Sequence, residues 1–293
     1  MAKIFMIALG SVLISAFGTL ARAEPPKRPP QRPPQRIVSV NLCTDQFVLA
    51  LADREQIAGI SRAGKDTHYS ALVARAEGLP DHRGASEEIV MMAPDLVVAG
   101  AYANRQTVHL LDRLGIPILN VPSVNRVHEI FPEIRKVADR IGRHDRGVKI
   151  ANALETRLQD FSVNEKRATG ALYRPGGYVL GRDSIVDDVM RAAGLGNRVA
   201  ELGIRGEDRL PLELLIMSPP DFLIIDSNRP ERPSRSRRML QHPALAKMPT
   251  TFKTLEFPVR YWLCATPPTV EGAEQLANTV TERLMTARKE QMP

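Results

Sequence analysis

Residues 87–100 read EEIVMMAPDLVVAG, and residues 213–226 read ELLIMSPPDFLIID. The two segments align without a gap. Glu87 falls on Glu213, Met91 on Met217, Pro94 on Pro220 and Asp95 on Asp221. In each, an apolar stretch with helical spacing runs into a proline that stops it, then into an apolar run suited to a buried strand. Short apolar patterns converge easily. Matching Glu, Met, Pro and Asp at one register points instead to duplication, and so to two α/β lobes of similar build.

Working outward, the same alternation recurs on both sides of a helical centre. Before it come strands at Ile37–Asn41, Ile57–Ser61, Leu96–Gly100 and Ile116–Val121, with helices between them. One of these helices is expected over Asp45–Ala52, with Thr44 as its cap. After the centre come a strand at Gly177–Arg182, a helix at Ser184–Ala193 closed by Gly194, and strands at Phe222–Asp226 and Phe252–Phe257. A final helix is expected over Val270–Met285. Strand alternating with helix predicts parallel sheets with right-handed crossovers. The centre reads RVHEIFPEIRKVADRIGRHDRGVKIANALETRLQDF (Arg126–Phe161), with apolar residues at spacings of three and four on both sides of a charged break at 142–147. Unbroken, it would form a rod roughly 50 Å long. The alternative is two helices joined by a turn at Gly142. The repeat favours a spine between lobes.

The predicted organisation is a leader over 1–23, a proline-rich linker over 24–35, a first lobe over 36–125, a connecting helix over 126–168 and a second lobe over 169–293. The leader has Lys3, an apolar run from Ile4 to Leu20 and Ala21-Arg22-Ala23 before a cut at Glu24. PPKRPPQRPPQR (Pro25–Arg36) is an extended spacer of polyproline II type, whose removal is expected to leave the fold intact. The net charge of +7 is concentrated in residues 1–23, 24–36 and 229–238, which leaves the remainder at about −2. Without aromatic interleaving, such a tail and loop give no support to nucleic-acid binding.

Ligands of open α/β sheets sit at the carboxyl ends of strands. That rule gathers Asn41–Thr44, Ser61–Lys65, Ala101–Asn104, Arg182-Asp183, Ser227–Arg229 and Trp262–Ala265 around a cleft between the lobes. The chemistry-bearing residues there are Asn41, Cys43, Thr44, Arg62, Arg83, Tyr102, Arg182, Asp183 and Trp262, with Arg229 nearby. Converging Arg62, Arg83 and Arg182 would recognise an anionic chelate through bidentate guanidinium contacts. Tyr102 and Trp262 are suited either to stacking on a flat ligand or to core packing. Cys43 and Cys264 are the only cysteines. An exported chain with two cysteines admits a disulfide, pocket-lining thiols or metal ligation. Because they follow strands in different lobes, and a bridge needs Cα atoms within about 7 Å, unpaired thiols are favoured. Enzyme signatures are missing: there is no G-x-S-x-G, Walker loop or H-E-x-x-H. The six histidines are scattered rather than set at ligand spacing, although the loop carrying His82 reaches towards the cleft, so no metal site or cofactor is expected. The Pro94-Asp95 and Pro220-Asp221 steps are read as loop caps, not catalytic acids.

From RIVSVNLCTDQ to YWLCATPPTVEGAEQLA the chain resembles the periplasmic substrate-binding proteins of ABC importers for vitamin B12, haem and ferric siderophores. The resemblance rests on the order and spacing of the segments and on the central helix. It implies two Rossmann-like lobes joined by a rigid helix, a ligand held between them, and no chemistry performed on it. In the family, one surface Glu per lobe pairs with Arg residues of the permease, and Glu87 and Glu213 occupy the matching places. The implied partners are an ABC permease with its ATPase subunits and a metal-chelate or corrinoid ligand. A monomer in the periplasm is expected, carrying a ferric siderophore or similar iron chelate, with corrinoid and haem as alternatives. An exported α/β enzyme is the alternative of a different class.

Overall fold

The computed structural model describes residues 32–162, 165–226, 243 and 252–290. The leader over 1–23, the proline-rich tract as far as Gln31 and the basic run Arg229–Arg238 lie outside the described residues.

The first lobe runs β1 (Ile37–Ser39), α1 (Leu42–Leu51), β2 (Ile57–Ser61), α2 (Val73–Ala76), β3 (Asp81–His82), α3 (Ser86–Met91), β4 (Leu96–Gly100), α4 (Arg105–Arg113) and β5 (Ile118–Val121). Its sheet has the order β3-β2-β1-β4-β5, with every pairing parallel. The order reverses direction between β1 and β4, which makes their carboxyl ends a natural ligand crevice. Helix α1 starts earlier than the expected cap at Thr44. Asn41 is the N-cap, accepting from the Thr44 backbone N–H, and Thr44 Oγ1 accepts from the Asn41 backbone N–H in return. This reciprocal box satisfies two backbone donors that would otherwise lie unpaired. It also consumes Thr44, whose hydroxyl accepts from Ser39 at 2.8 Å and is buried.

The central stretch is two helices. α5 (Ile130–Arg140) ends in a turn at Gly142, and α6 (His144–Phe161) follows it. They pack so closely that a Cβ on Gly147 would lie 2.2 Å from the Ala138 Cβ. The charged break is therefore a reversal, not a pause in one rod. α6 alone spans the lobes. Near its start Arg146 donates to the Leu51 carbonyl at 2.8 Å and pairs with Asp53, and near its end Arg157 pairs with Glu274. At 18 residues it is about 27 Å long, roughly half the rod length of the whole stretch.

The second lobe runs β6 (Ala168–Arg174), β7 (Tyr178–Leu180), α7 (Ile185–Ala192), β8 (Leu195–Asn197), α8 (Arg198–Glu201), β9 (Glu207–Arg209), α9 (Leu212–Met217), β10 (Phe222–Asp226), β11 (Phe252–Phe257) and α10 (Pro268–Glu290). Its sheet is mixed, in the order β11-β10-β6-β7-β9 with β8 beside β6. β11, β10, β6 and β8 are parallel, while β6-β7 and β7-β9 are antiparallel. The departure from an all-parallel sheet comes from Pro175-Gly176-Gly177, where Gly176 at φ +83° turns the chain straight back on itself.

The two halves of the repeat do the same structural work. Asp95, at the foot of β4, accepts from the backbone N–H groups of Gln35 at 2.7 Å and Arg36 at 2.9 Å, just before β1. Asp221, at the foot of β10, accepts from the backbone N–H and the hydroxyl of Thr169 in β6, both at 2.7 Å. Each carboxylate ties its strand to the neighbouring one. Pro33–Gln35 are accordingly part of the folded body: Gln56 also donates to the Pro34 carbonyl at 2.6 Å. The linker expected over 24–35 thus overlaps the folded body at Pro33–Gln35.

Replacing Asp221 with Ala should cost about 1–3 kcal/mol in urea unfolding, because the partner atoms at Thr169 are left without an acceptor in a largely buried setting. Asp95→Ala should cost less, since Asp95 is exposed and water replaces its contacts. Equal midpoints for Asp221→Ala and the parent would contradict this role.

Candidate ligand-binding cleft

Between the lobes lies a cavity of about 610 Å³. One wall comes from the carboxyl ends of β1 and β4 and the loop after β5, with Asn41, Leu42, Cys43, Tyr102 and Ser123–Asn125. The other comes from β6, β7, the start of α7 and the loop after β11, with Leu172, Arg174, Leu180, Asp183, Ile185, Val186, Glu207, Val259 and Trp262–Ala265. Most of these side chains are apolar. Tyr102 is 73% exposed, so its ring stands at the rim. Trp262 is 3% exposed and packs on Phe257 with ring centroids 4.6 Å apart. It serves the core and the cavity wall together.

Of the sequence-predicted residues, Asn41, Cys43, Tyr102, Asp183 and Trp262 line this cavity, whereas Thr44, Arg62, Arg83 and Arg182 do not. The expected convergence of three arginines is not found. Arg62 extends over the surface to Asp81 at 3.4 Å, where Lys65 also sits at 2.8 Å. Arg83 is exposed, and its backbone N–H donates to Glu88. Arg182 faces a neighbouring crevice with Asp187 and Arg191. Arg229 is outside the described residues. His82 is a core histidine: its Nδ1 accepts from the Gly84 N–H at 3.0 Å, which leaves Nε2 to donate to the Ser39 carbonyl at 2.8 Å.

Among the described residues, the cation that does reach the cavity is Arg174, paired with Glu207 at 3.2 Å. It was hidden in LYRPGG, a turn-like string whose first half forms the end of β6. Asp183 adds a second carboxylate to the wall. Its backbone is left-handed at φ +64°, and it pairs with Arg205 at 2.5 Å. Ser184 follows as the N-cap of α7, accepting from the Asp187 N–H. Asn41 Nδ2 is buried without a hydrogen-bond partner among the described residues, while its Oδ1 is committed to the helix cap.

Cys43 and Cys264 form a disulfide, with Cα atoms 5.3 Å apart. The expectation of free thiols fails because the first turn of α1 and the loop after β11 meet each other at one side of the cavity and do not face across open water. The bond joins the lobes over a separation of 221 residues. On the same side, His68 Nε2 lies 3.0 Å from Asp226 Oδ2, and Arg260 donates to the Thr67 carbonyl at 3.4 Å. Two residues beyond Cys43, Asp45 is fully buried and accepts from the Ser61 N–H at 3.1 Å and the Ser61 hydroxyl at 2.5 Å. Burial pushes its carboxyl from 3.8 up to about 7, against the opposing pull of the Ser39 and Ser61 hydrogen bonds.

The sequence profile of the periplasmic binding protein family matches residues 37–254. The chain belongs to the periplasmic binding protein family. Its members are solute-binding proteins, so this is not an enzyme. Solved structures agree on the fold. A periplasmic haem-binding protein RhuT from Roseiflexus sp. RS-1, in apo form, superposes with a TM-score of 0.71 at 24% identity, covering 83% of this chain and 96% of that one. The vitamin B12-binding protein BtuF of Vibrio cholerae gives 0.63 at 18% identity, covering 88% and 99%. A protein of an ABC-type Fe3+-hydroxamate transport system from Saccharomonospora viridis gives 0.66 at 21% identity, covering 85% and 93%. No curated protein sequence matches the chain.

Two outcomes are expected. Cys43→Ser with Cys264→Ser should lower unfolding free energy by about 2–5 kcal/mol, as should reduction of the parent, since the bond closes a long loop. An unchanged urea midpoint under reductant would contradict a formed bridge. For Asp45, the folded state holds a proton from pH 3.8 to about 7 that the unfolded state releases. Its contribution is therefore present at low pH and lost as pH rises through that window, by at most about 4 kcal/mol. Asp45→Asn should flatten the fall in melting temperature between pH 5 and 8. An identical slope in parent and variant would refute it.

Proposed function

We propose that the protein is the periplasmic capture component of an ABC importer, and that its ligand is a flat, mostly apolar metal chelate of the tetrapyrrole class, with haem the best fit. The observation that carries this reading is the character of the cavity wall. Aliphatic side chains and Trp262 cover most of it, and an exposed phenol stands at the rim. About 610 Å³ lies within the range of roughly 300–1,000 Å³ typical of sites that enclose one organic ligand.

The polar groups narrow the choice further. An anionic siderophore complex needs several converging guanidinium forks, and Arg62, Arg83 and Arg182 are elsewhere. Among the described residues of the wall, the carboxylates Asp183 and Glu207 are each held by an arginine, Arg205 and Arg174, so no cluster of unpaired guanidinium groups favours a multiply charged anion. Arg174 can exchange its Glu207 partner for one of the two carboxylates that haem carries at one edge. The Tyr102 phenol is a hard oxygen donor suited to ferric iron. The likeness to haem-binding proteins from Roseiflexus and from Pseudomonas aeruginosa supports the same choice.

Delivery follows from the repeat. Glu87 and Glu213 are exposed in the first turns of α3 and α9. Each meets an arginine on one half of a two-fold permease, which sets the cleft over the pore and speeds encounter.

Absorbance titrations with hemin, cyanocobalamin and a ferric trihydroxamate test the ligand. Hemin should saturate at one equivalent, and Tyr102→Phe should change the ferric visible spectrum and weaken binding. Saturation by the trihydroxamate with no response to hemin would overturn the assignment.

A further inference from the structure

Met91 and Met217 are the most exposed large apolar side chains among the described residues, at 85% and 80%. They hold the same position in the repeat, four residues after Glu87 and Glu213. Helical spacing therefore sets each thioether on the same face as its carboxylate, one turn further on. The packing needs of these two short helices are met elsewhere, by Ile89 and Leu215, which are fully buried and also equivalent in the repeat. Folding makes no use of either methionine. A single exposed apolar residue is ordinary. The same residue kept bare at the same place in both lobes is different, because neighbouring positions have diverged: Glu88 faces Leu214, and Ala93 faces Pro219. Neither Glu87 nor Glu213 is ion-paired among the described residues.

We infer that Glu87 with Met91, and Glu213 with Met217, are two copies of one contact unit. The partner they fit is an integral membrane protein with two like halves, each offering a cationic side chain beside an apolar pocket that takes an unbranched thioether. This rests on the importer reading above. The carboxylates steer the encounter, and the methionines set how long the complex lasts. Methionine suits the task because its flexible, polarisable chain fills pockets of imperfect shape. Two lobes that differ elsewhere can thus engage identical halves.

The test begins with a photo-cross-linking phenylalanine analogue placed singly at Met91 and Met217, irradiated in host cells during haem uptake. Both positions should give adducts to the same peptide of one membrane polypeptide, while Leu114, exposed outside the repeat, should not. Adducts to different proteins, to soluble proteins alone, or none, would overturn the inference. In parallel, Met91→Ser with Met217→Ser should cut uptake of labelled haem by at least about tenfold, with haem affinity and melting temperature unchanged. If Glu87→Arg with Glu213→Arg abolishes uptake and the serine pair leaves it intact, the methionine unit is wrong and the importer reading stands. If neither pair alters uptake, the importer reading itself fails.

Discussion

The covalent bond between Cys43 and Cys264 is the constraint on which the rest of the cleft depends. One end sits in the first turn of α1, directly after β1. The other lies in the loop that follows β11. It therefore joins the carboxyl ends of a strand from each sheet, the places where a ligand crevice opens in this class of fold. With that side of the cavity stapled, and with His68 against Asp226 beside it, the lobes cannot part widely there. That staple limits a wide swing of the two lobes.

A second economy is the reuse of one sequence device. Pro94-Asp95 and Pro220-Asp221 each stop a helix, open a strand and hold the adjacent strand by two hydrogen bonds through the aspartate. The glutamates seven residues before each proline end up exposed on matching helix starts. The duplication therefore organises both the interior and the outer surface. The cavity between the lobes is asymmetric, because the β6-β7 hairpin in the second lobe has no counterpart in the first. That asymmetry places Arg174, Leu180 and Glu207 on one wall alone.

Much of this architecture was legible in the sequence because it follows from spacing. The β-branched runs at Ile37, Ile57 and Leu96 form the parallel strands of the first sheet, and Ser184 and Gly194 bracket α7 as their chemistry requires. Other features depend on contacts that spacing does not encode. ATGALYR carries small and polar residues through a buried strand, so β6 was overlooked and Arg174 with it. The Gly142 break leaves the apolar period intact on both sides, which made two packed helices resemble one rod. Strand ends placed Arg62, Arg83 and Arg182 near the cleft but said nothing of where the side chains point. The cysteines were misjudged for a related reason: membership of different lobes does not fix the distance between a helix start and a loop that touch.

The account stands on capture of a flat chelate in this one cavity. Native mass spectrometry of the oxidised protein after incubation with hemin, beside a Leu180→Trp variant that fills the second-lobe wall, tests it most directly. The account predicts one haem retained per parent chain and none on the variant, with the melting temperature of the empty protein preserved. Equal retention by both proteins would place the ligand elsewhere and contradict the assignment of the cleft.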